Sequence, residues 1–536
     1  MVYKTGMWKA QAVVLEPSCF KGHGAVATDS KICSEIGRDI LAKGGSAVDA
    51  AIAALLCISI IHPQSMGLGG GLMFTVMEKS GKVKIINARS TVPQNYNPNL
   101  LKDCSRRDRT GSQWIGVPGE ILGYEEAHRR YGKLNFSDLF QPAIKLAKEG
   151  VTVSHILEYH LQQHCLSVDA APLCKLFYKN GTLLKAGDTV KYNKLARTLV
   201  VVAEEGTKAL YNGTIAQDLI QDIKDAGGKL SLKDLQSFKV EVTDAWNVSI
   251  GEYKMHFPRP PAGGALIGFI LNVMKGYNLS SDSVKGDGIQ TYHRYVVTCD
   301  HANKQRNYTR DYSFVSQEFR NASEKLIKEE FAAEQRQQID AKIASNLLGY
   351  NTNSIVDSVG TTHISVLDEN GTAVSVTSTI NDPFGSKVYS PKTGIILNNL
   401  LADFCELADR ILPGERPPSF TAPSVLYSKS KQETLVIGGS GGQWITTRVA
   451  LALMNYLWFG KDLEQAIKDP VVFVNSTYRL DFETGFNQAV KDGLRGKDYE
   501  VGVLKNNYTA VNAVLKKNNC ITAWSDKRKG GVAAGY

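Results

Sequence analysis

His160 and His164 stand four residues apart beside Glu158. On a helix both imidazoles would share one face, the spacing that zinc ligands use. The set is incomplete, because Leu161 rather than Glu follows His160 and no third ligand is near in sequence. The pair therefore reads as a solvated helix face, and no metal or other cofactor is expected. Gly438 to Gly442 follows an apolar run and precedes a helical pattern. That order puts backbone N–H groups at a positive helix terminus, where an anion or oxyanion could sit; a plain tight turn fits the same residues equally well. With no Gly-Lys-Ser/Thr ending and no Gly-x-Gly-x-x-Gly spacing, it does not read as a nucleotide site. The cluster Gly67 to Gly71 reads as close packing. Thr361 and Thr362, behind Gly360, read from periodicity alone as β-branched residues that start a strand.

The elements that must carry these residues follow from pattern. Residues 24–28 read as a strand, 33–43 as a helix, Gly44-Gly45 as a turn and 46–61 as a second, apolar helix. Residues 72–77 and 83–88 read as a hairpin about Ser80-Gly81, with Arg89 ending its second strand. From about Gly119 to Leu348 the pattern is mostly helical, including 139–148, 215–226 and 321–347. The stretch Pro258-Arg259-Pro260-Pro261 cannot be helical, and an apolar helix at 266–274 follows it. A second hairpin, 362–367 and 373–379 about Asp368 to Gly371, alternates with period two. Strand 434–437 then runs into the glycine cluster and a helix at about 443–458. Neighbouring hairpins flanked by helices predict an α+β body with antiparallel sheets between helical layers.

Composition narrows the class. With 43% hydrophobic and 21% charged residues, the 536-residue chain has ordinary globular usage and is long enough for one large or two interleaved domains. Its net charge of +9 is spread through pairs such as Arg106-Arg107 and the run Lys527-Arg528-Lys529. No basic stripe with interleaved aromatics is present, so nucleic acid is not an expected partner. The longest apolar run, Ala50 to Ile61, is too short to cross a bilayer, and the first residues show no signal-peptide pattern. Ten of the 29 Asn residues stand in N-x-Ser/Thr sequons: Asn135, Asn180, Asn212, Asn247, Asn278, Asn307, Asn321, Asn370, Asn475 and Asn507. That excess points to a secretory route, extracellular or on the outer face of the plasma membrane, with no anchor visible. Nine cysteines allow at most four disulfides, and Cys33 with Cys57 and Cys165 with Cys174 are the local candidates.

Gly360-Thr-Thr-His-Ile-Ser-Val and Thr377-Ser-Thr-Ile-Asn-Asp-Pro-Phe-Gly-Ser-Lys387 resemble the processing site and the most characteristic run of the gamma-glutamyltransferase (glutathione hydrolase) family. Blocks at Gly44 to Ala51, Gly67 to Gly71, Asn87 to Arg89, Gly116 to Gly119, Pro260 to Gly264, Gly394 to Asp403, Gly438 to Gly442 and Ser525 to Tyr536 agree in the same order. Single motifs of this kind are weak; so many in one order are specific. Ala127 to Tyr131, the Glu406 region and the Arg528-Lys-Gly-Gly ending look most like the vertebrate branch that also hydrolyses leukotriene C4.

The resemblance implies the αββα sandwich of N-terminal-nucleophile hydrolases. It further implies self-cleavage between Gly360 and Thr361 into a large chain, 1–360, and a small chain, 361–536, that stay associated and interleave. Thr361 would be the nucleophile, with its freed α-amine as base. Thr379 would orient the hydroxyl, and Gly441 and Gly442 would form the oxyanion hole. Arg89 would grip the glutamyl α-carboxylate in bidentate fashion, Asn381 and Asp403 the α-amino group, and Ser419 would add a carboxylate contact. Donors would be glutathione and its S-conjugates, and acceptors water, amino acids or dipeptides. The chain departs from the pattern at Leu400, where Glu or Gln is usual, and at Phe420, where a second Ser is usual. Each loss of a charge-assisted hydrogen bond would cost about 1.5 to 3 kcal/mol of binding, so an altered substrate preference is expected, or, as the alternative, an inactive glycosylated surface homologue with a binding role.

Overall fold

The computed structural model describes residues 19–20, 23–105, 109–166, 172–345, 360–405, 407–474, 479–497, 499–504 and 509–536. Two large antiparallel sheets lie face to face. Their strands are numbered here in chain order. The first sheet runs β13 (Ala534–Gly535), β1 (Gly24–Ala27), β7 (Gly360–Asp368), β8 (Ala373–Asn381), β2 (Gly71–Met77), β3 (Val83–Ala88), β4 (Glu241–Asp244). The second runs β12 (Cys520–Ser525), β11 (Ala510–Lys517), β10 (Glu433–Ser440), β9 (Ser424–Ser428), β6 (Tyr253–Phe257), β5 (Trp246–Ile250). Both sheets mix strands from before and after residue 360, so the two halves of the chain interleave.

Each outer face carries helices, which completes an αββα sandwich. Helix Ala47–Ile61 is buried along its whole length, with Ile52, Leu55 and Ile58 in the same core as Ile364 and Val376. Its start is fixed by a capping box: the Ser46 hydroxyl accepts from the Asp49 N–H, and the Asp49 carboxylate accepts from the Ser46 N–H. Helices Gly264–Lys275 and Ile445–Leu457 cover the second sheet, sharing a core with Val248, Met255 and Leu435. Between the sheets the filling is narrow and partly polar. Alongside Ala25, Val425 and Val436, the hydroxyls of Thr75, Ser365 and Ser375 donate across to the carbonyls of Pro423, Asn512 and Ile437. The β7–β8 hairpin is buried on both faces, so its alternation separates two interiors rather than core from solvent.

The expected hairpins, the paired helices and both local disulfides are present. Two further disulfides, Cys19–Cys520 and Cys104–Cys405, join segments remote in sequence, and Cys299 is a buried free thiol. The middle is mostly helical, as expected, but β4, β5 and β6 occupy 241–257, where Trp-Asn-Val-Ser-Ile and Tyr-Lys-Met-His-Phe bury alternate residues about a Gly251-Glu252 turn. Two readings need correction. The helix expected over 321–347 is divided into Gln317–Lys325 and Glu329–Ser345 by a turn that buries Leu326, and residues 346–347 lie outside the described set. His160 is not on a solvated face. It is 4% exposed within helix His155–His164, and burial holds its pKa down to about 3, so it is a neutral core residue stacked against His164. Among the described residues no helix is long and apolar enough to cross a membrane.

Candidate active site

Gly360 and Thr361 open β7 at a break in register: Gly360 stands opposite Asn381, but Thr361 opposite Thr379, so Ile380 bulges out of the ladder. A bulge re-aims side chains, and here it gathers three hydroxyl and carbonyl groups. The Thr361 hydroxyl donates to the Thr379 hydroxyl at 3.0 Å, and the Thr379 hydroxyl donates to the Gly360 carbonyl at 2.6 Å. The Asn381 N–H donates to the same Thr379 oxygen at 2.8 Å, and Asn381 itself takes φ +80° to complete the bend. Gly360 is required by space, because a Cβ there would lie 2.4 Å from the Asn381 carbonyl oxygen and 2.5 Å from that of Asp382.

A buried ionic group anchors the strand from behind. Lys529, 4% exposed, donates from Nζ to the Thr361 carbonyl and lies 3.5 Å from the Asp29 carboxylate. Asp29 also accepts from the Thr362 hydroxyl at 2.7 Å and from Asn512 Nδ2 at 2.8 Å. Burial lowers the Lys529 pKa from its ordinary value, and Asp29 opposes that shift. Sequence reasoning missed this group, since Asp29 and Lys529 stand 500 positions apart and nothing in the Ser525 to Tyr536 block that holds Lys529 links it to Asp29.

The far wall is assembled from loops. Arg89, just past β3, is 2% exposed. Its Nε donates to the Pro417 carbonyl at 2.7 Å, and its Nη2 donates to the Pro418 carbonyl at 3.0 Å and the Asp403 carboxylate at 2.5 Å. Its Nε/Nη2 edge is thus committed to the protein and is not open for the bidentate ligand grip expected of it. Asp403 sits on the short 3-10 helix Leu400–Phe404, and the next residue but one, Cys405, is tied to Cys104. Asn398 and Asn399 hold that segment: Asn398 Oδ1 accepts from the Leu400 N–H, and the Asn399 carbonyl accepts from Asn381 Nδ2 at 3.1 Å. Burial pushes the Asp403 carboxyl above its ordinary pKa, and the charges of Arg89, Arg306 and Arg109 pull it back.

One cleft joins both parts. Its lining includes Thr361, Thr379, Asn381, Arg89, Asp403, Ser419 and Gly442, and also Arg109, Arg306 and Phe420. Arg109 and Arg306 carry no motif that would have marked them. Ser419 exchanges a hydroxyl hydrogen bond of 2.9 Å with Thr421. Gly441 and Gly442 take φ +121° and +60° where β10 turns into helix Ile445–Leu457, and a Cβ at Gly441 would meet Thr509 at 2.4 Å. Of the two departures, Phe420 lines the cleft, while Leu400 is fully buried and does not. Eight sequon residues, Asn135, Asn180, Asn212, Asn247, Asn278, Asn307, Asn321 and Asn370, are exposed; Asn475, Asn507, Glu406 and the Arg106-Arg107 pair lie outside the described residues.

The chain compares closely with known proteins. A profile of the gamma-glutamyltranspeptidase family matches residues 33–536. The glutathione hydrolase 5 proenzyme of Mus musculus is 45% identical over 549 residues, covering 98% of this chain and 96% of the mouse protein. The crystal structure of cephalosporin acylase from Bacillus halodurans superposes with TM-score 0.86 at 22% identity, over 100% of this chain and 99% of that one, a likeness of fold. Helicobacter pylori gamma-glutamyltranspeptidase, at TM-score 0.53 and 28% identity, covers 58% of this chain and 89% of its own.

Proposed function

The chain belongs to the gamma-glutamyltranspeptidase family, and from that premise we propose that it cuts itself between Gly360 and Thr361 and then cleaves gamma-glutamyl bonds through a Thr361 ester. The observation that carries this reading is the hydroxyl relay at the bulge, Thr361 to Thr379 to the Gly360 carbonyl. In processing, Thr361 Oγ attacks the Gly360 carbonyl carbon, and the Thr379 hydroxyl stabilises the charge that develops on its oxygen. The C–N bond breaks, the Thr361 nitrogen takes the proton lost by its hydroxyl, and water hydrolyses the resulting ester. Residues 1–360 and 361–536 are then the large and small chains.

The freed α-amine, with an ordinary pKa of about 7.7 to 8.0, is the base for the second reaction. It accepts the Thr361 hydroxyl proton as Oγ attacks the donor's gamma-carbonyl, then passes it to the leaving amine. Gly441 and Gly442 serve as the oxyanion hole, a role supported by the turn that both form after β10 and by Gly442 lining the cleft with Thr361. Arg89 attracts the α-carboxylate, Asp403 and Asn381 the α-ammonium, and Ser419 adds a hydroxyl. Donors are glutathione and its S-conjugates, extending to leukotriene C4; water, an amino acid or a dipeptide accepts the acyl group. An extracellular, glycosylated setting, in solution or at the membrane surface, is supported by the eight exposed sequon residues and four disulfides.

A reducing denaturing gel with Edman sequencing tests the first step. Two bands are expected, the smaller beginning Thr-Thr-His-Ile, and a single uncut band would refute self-cleavage. Release of a chromogenic amine from a gamma-glutamyl anilide tests the second, and turnover unchanged in Thr361→Ala would remove Thr361 from the mechanism.

A further inference from the structure

The cleft holds three guanidinium groups, on Arg89, Arg109 and Arg306, around one described carboxylate, Asp403. Arg89 has already spent its Nε–H and both Nη2–H bonds on Pro417, Pro418 and Asp403. It contributes charge, but its forked edge is filled. Arg306 follows helix Ile289–Lys304, in the 3-10 turn Gln305–Tyr308, and is 8% exposed. Its guanidinium carbon lies 4.0 Å from the centre of the Phe420 ring, and Phe420 directly follows Ser419. A guanidinium laid on an aromatic face is held in orientation while its N–H bonds radiate in its own plane, the arrangement that suits a carboxylate edge. Arg306 and Arg89 also act on the same anion, since both charges favour ionised Asp403.

We propose that Arg306, stacked on Phe420, is a specificity-determining residue of the donor site and shares the α-carboxylate of the gamma-glutamyl group with Arg89. The proposal rests on the donor-site reading above. With a zwitterionic amino acid in place, the ligand carboxylate would face the two guanidiniums and the ligand ammonium would face Asp403, which Arg89 also contacts. Phe420 thus contributes to carboxylate recognition without a polar atom of its own, by fixing the plane of the cation.

The test measures kcat and KM of processed wild type, Arg306→Ala, Arg306→Lys and Phe420→Leu with two donors. Glutathione has a carboxylate at each end, whereas a gamma-glutamyl anilide has only the glutamyl one. Expected for Arg306→Ala is a KM rise of about ten- to a hundredfold for both donors, with kcat within a few fold, as for loss of a charge-assisted hydrogen bond. Arg306→Lys recovers part of the loss, because it restores charge without the planar fork, and Phe420→Leu shows a smaller rise in KM. Equal extents of self-cleavage on a reducing gel establish that each variant folds; should Arg306→Ala stay uncut, the Lys and Leu variants carry the test. An unchanged KM for both donors overturns the proposal, and so does a rise for glutathione alone, which would move Arg306 to the leaving-group side. Wild type that turns over neither donor overturns the donor-site reading along with it.

Discussion

The proposed reaction centre and the proposed recognition wall share one cleft but are built differently. Thr361 and Thr379 are opposite residues of a single hairpin, eighteen positions apart, and their hydroxyls meet because the register of β7 on β8 leaves them no other place. Arg89, Arg306, Asp403 and Ser419 come from four separate segments. They are held by two proline carbonyls, two asparagines, an aromatic ring and a disulfide. The first construction is local and leaves little latitude. The second can be retuned one segment at a time without disturbing the strands, so specificity is free to diverge while the chemistry is kept.

Breaking the centre should have the largest effect. Thr379→Val removes the donor to the Gly360 carbonyl and the acceptor for the Thr361 hydroxyl, and self-cleavage should slow by about a hundred- to a thousandfold, as when one oxyanion donor is lost. The time course of precursor loss on a reducing gel measures it, and a wild-type rate would detach Thr379 from processing. Breaking the wall should be milder and fall on binding. Asp403→Asn removes the anion proposed to meet the ligand ammonium, and KM for glutathione should rise about tenfold or more, with self-cleavage unchanged. Slowed self-cleavage in that variant would show that the two regions are not separable.

The smallest effect probes the support beneath the centre. Glu120 is fully buried, accepts from the Ser378 hydroxyl at 2.8 Å and the Tyr124 hydroxyl at 2.7 Å, and burial raises its pKa from 4.5 to about 8. Between those values the folded state keeps a proton that the unfolded chain has released. Wild-type stability should therefore fall as pH rises from about 4.5 to about 8 and level off above. In Glu120→Gln that component vanishes, so thermal midpoints measured across this range should flatten by a few degrees relative to wild type.

Sequence made the local construction legible. Asp368 to Gly371 marks the turn that sets the β7–β8 register, and the glycine-rich run at the end of β10 marks the turn into the following helix. Arg89, Asn381 and Asp403, which belong to ordered motifs, and Ser419, which the family resemblance implied, could be named, although not the prior commitment of the Arg89 fork. Arg306, Arg109, Lys529 and Asp29 could not be found, because what brings them to the site is tertiary: one ring, a few carbonyls and a buried ion pair. Strands β5 and β6 carried a period-two signal that the surrounding helical text obscured. Glu329–Ser345 separated from the helix before it because Leu326 had a core to enter, which pattern alone does not reveal.

The pairings Cys19–Cys520 and Cys104–Cys405 each join a cysteine before residue 360 to one after it. A molecule severed at the Gly360–Thr361 bond would therefore be a covalent heterodimer, and dilution or denaturant alone could not part its chains. Self-cleavage would stay hidden on a gel run without reductant, and two bands would appear only once thiol is added.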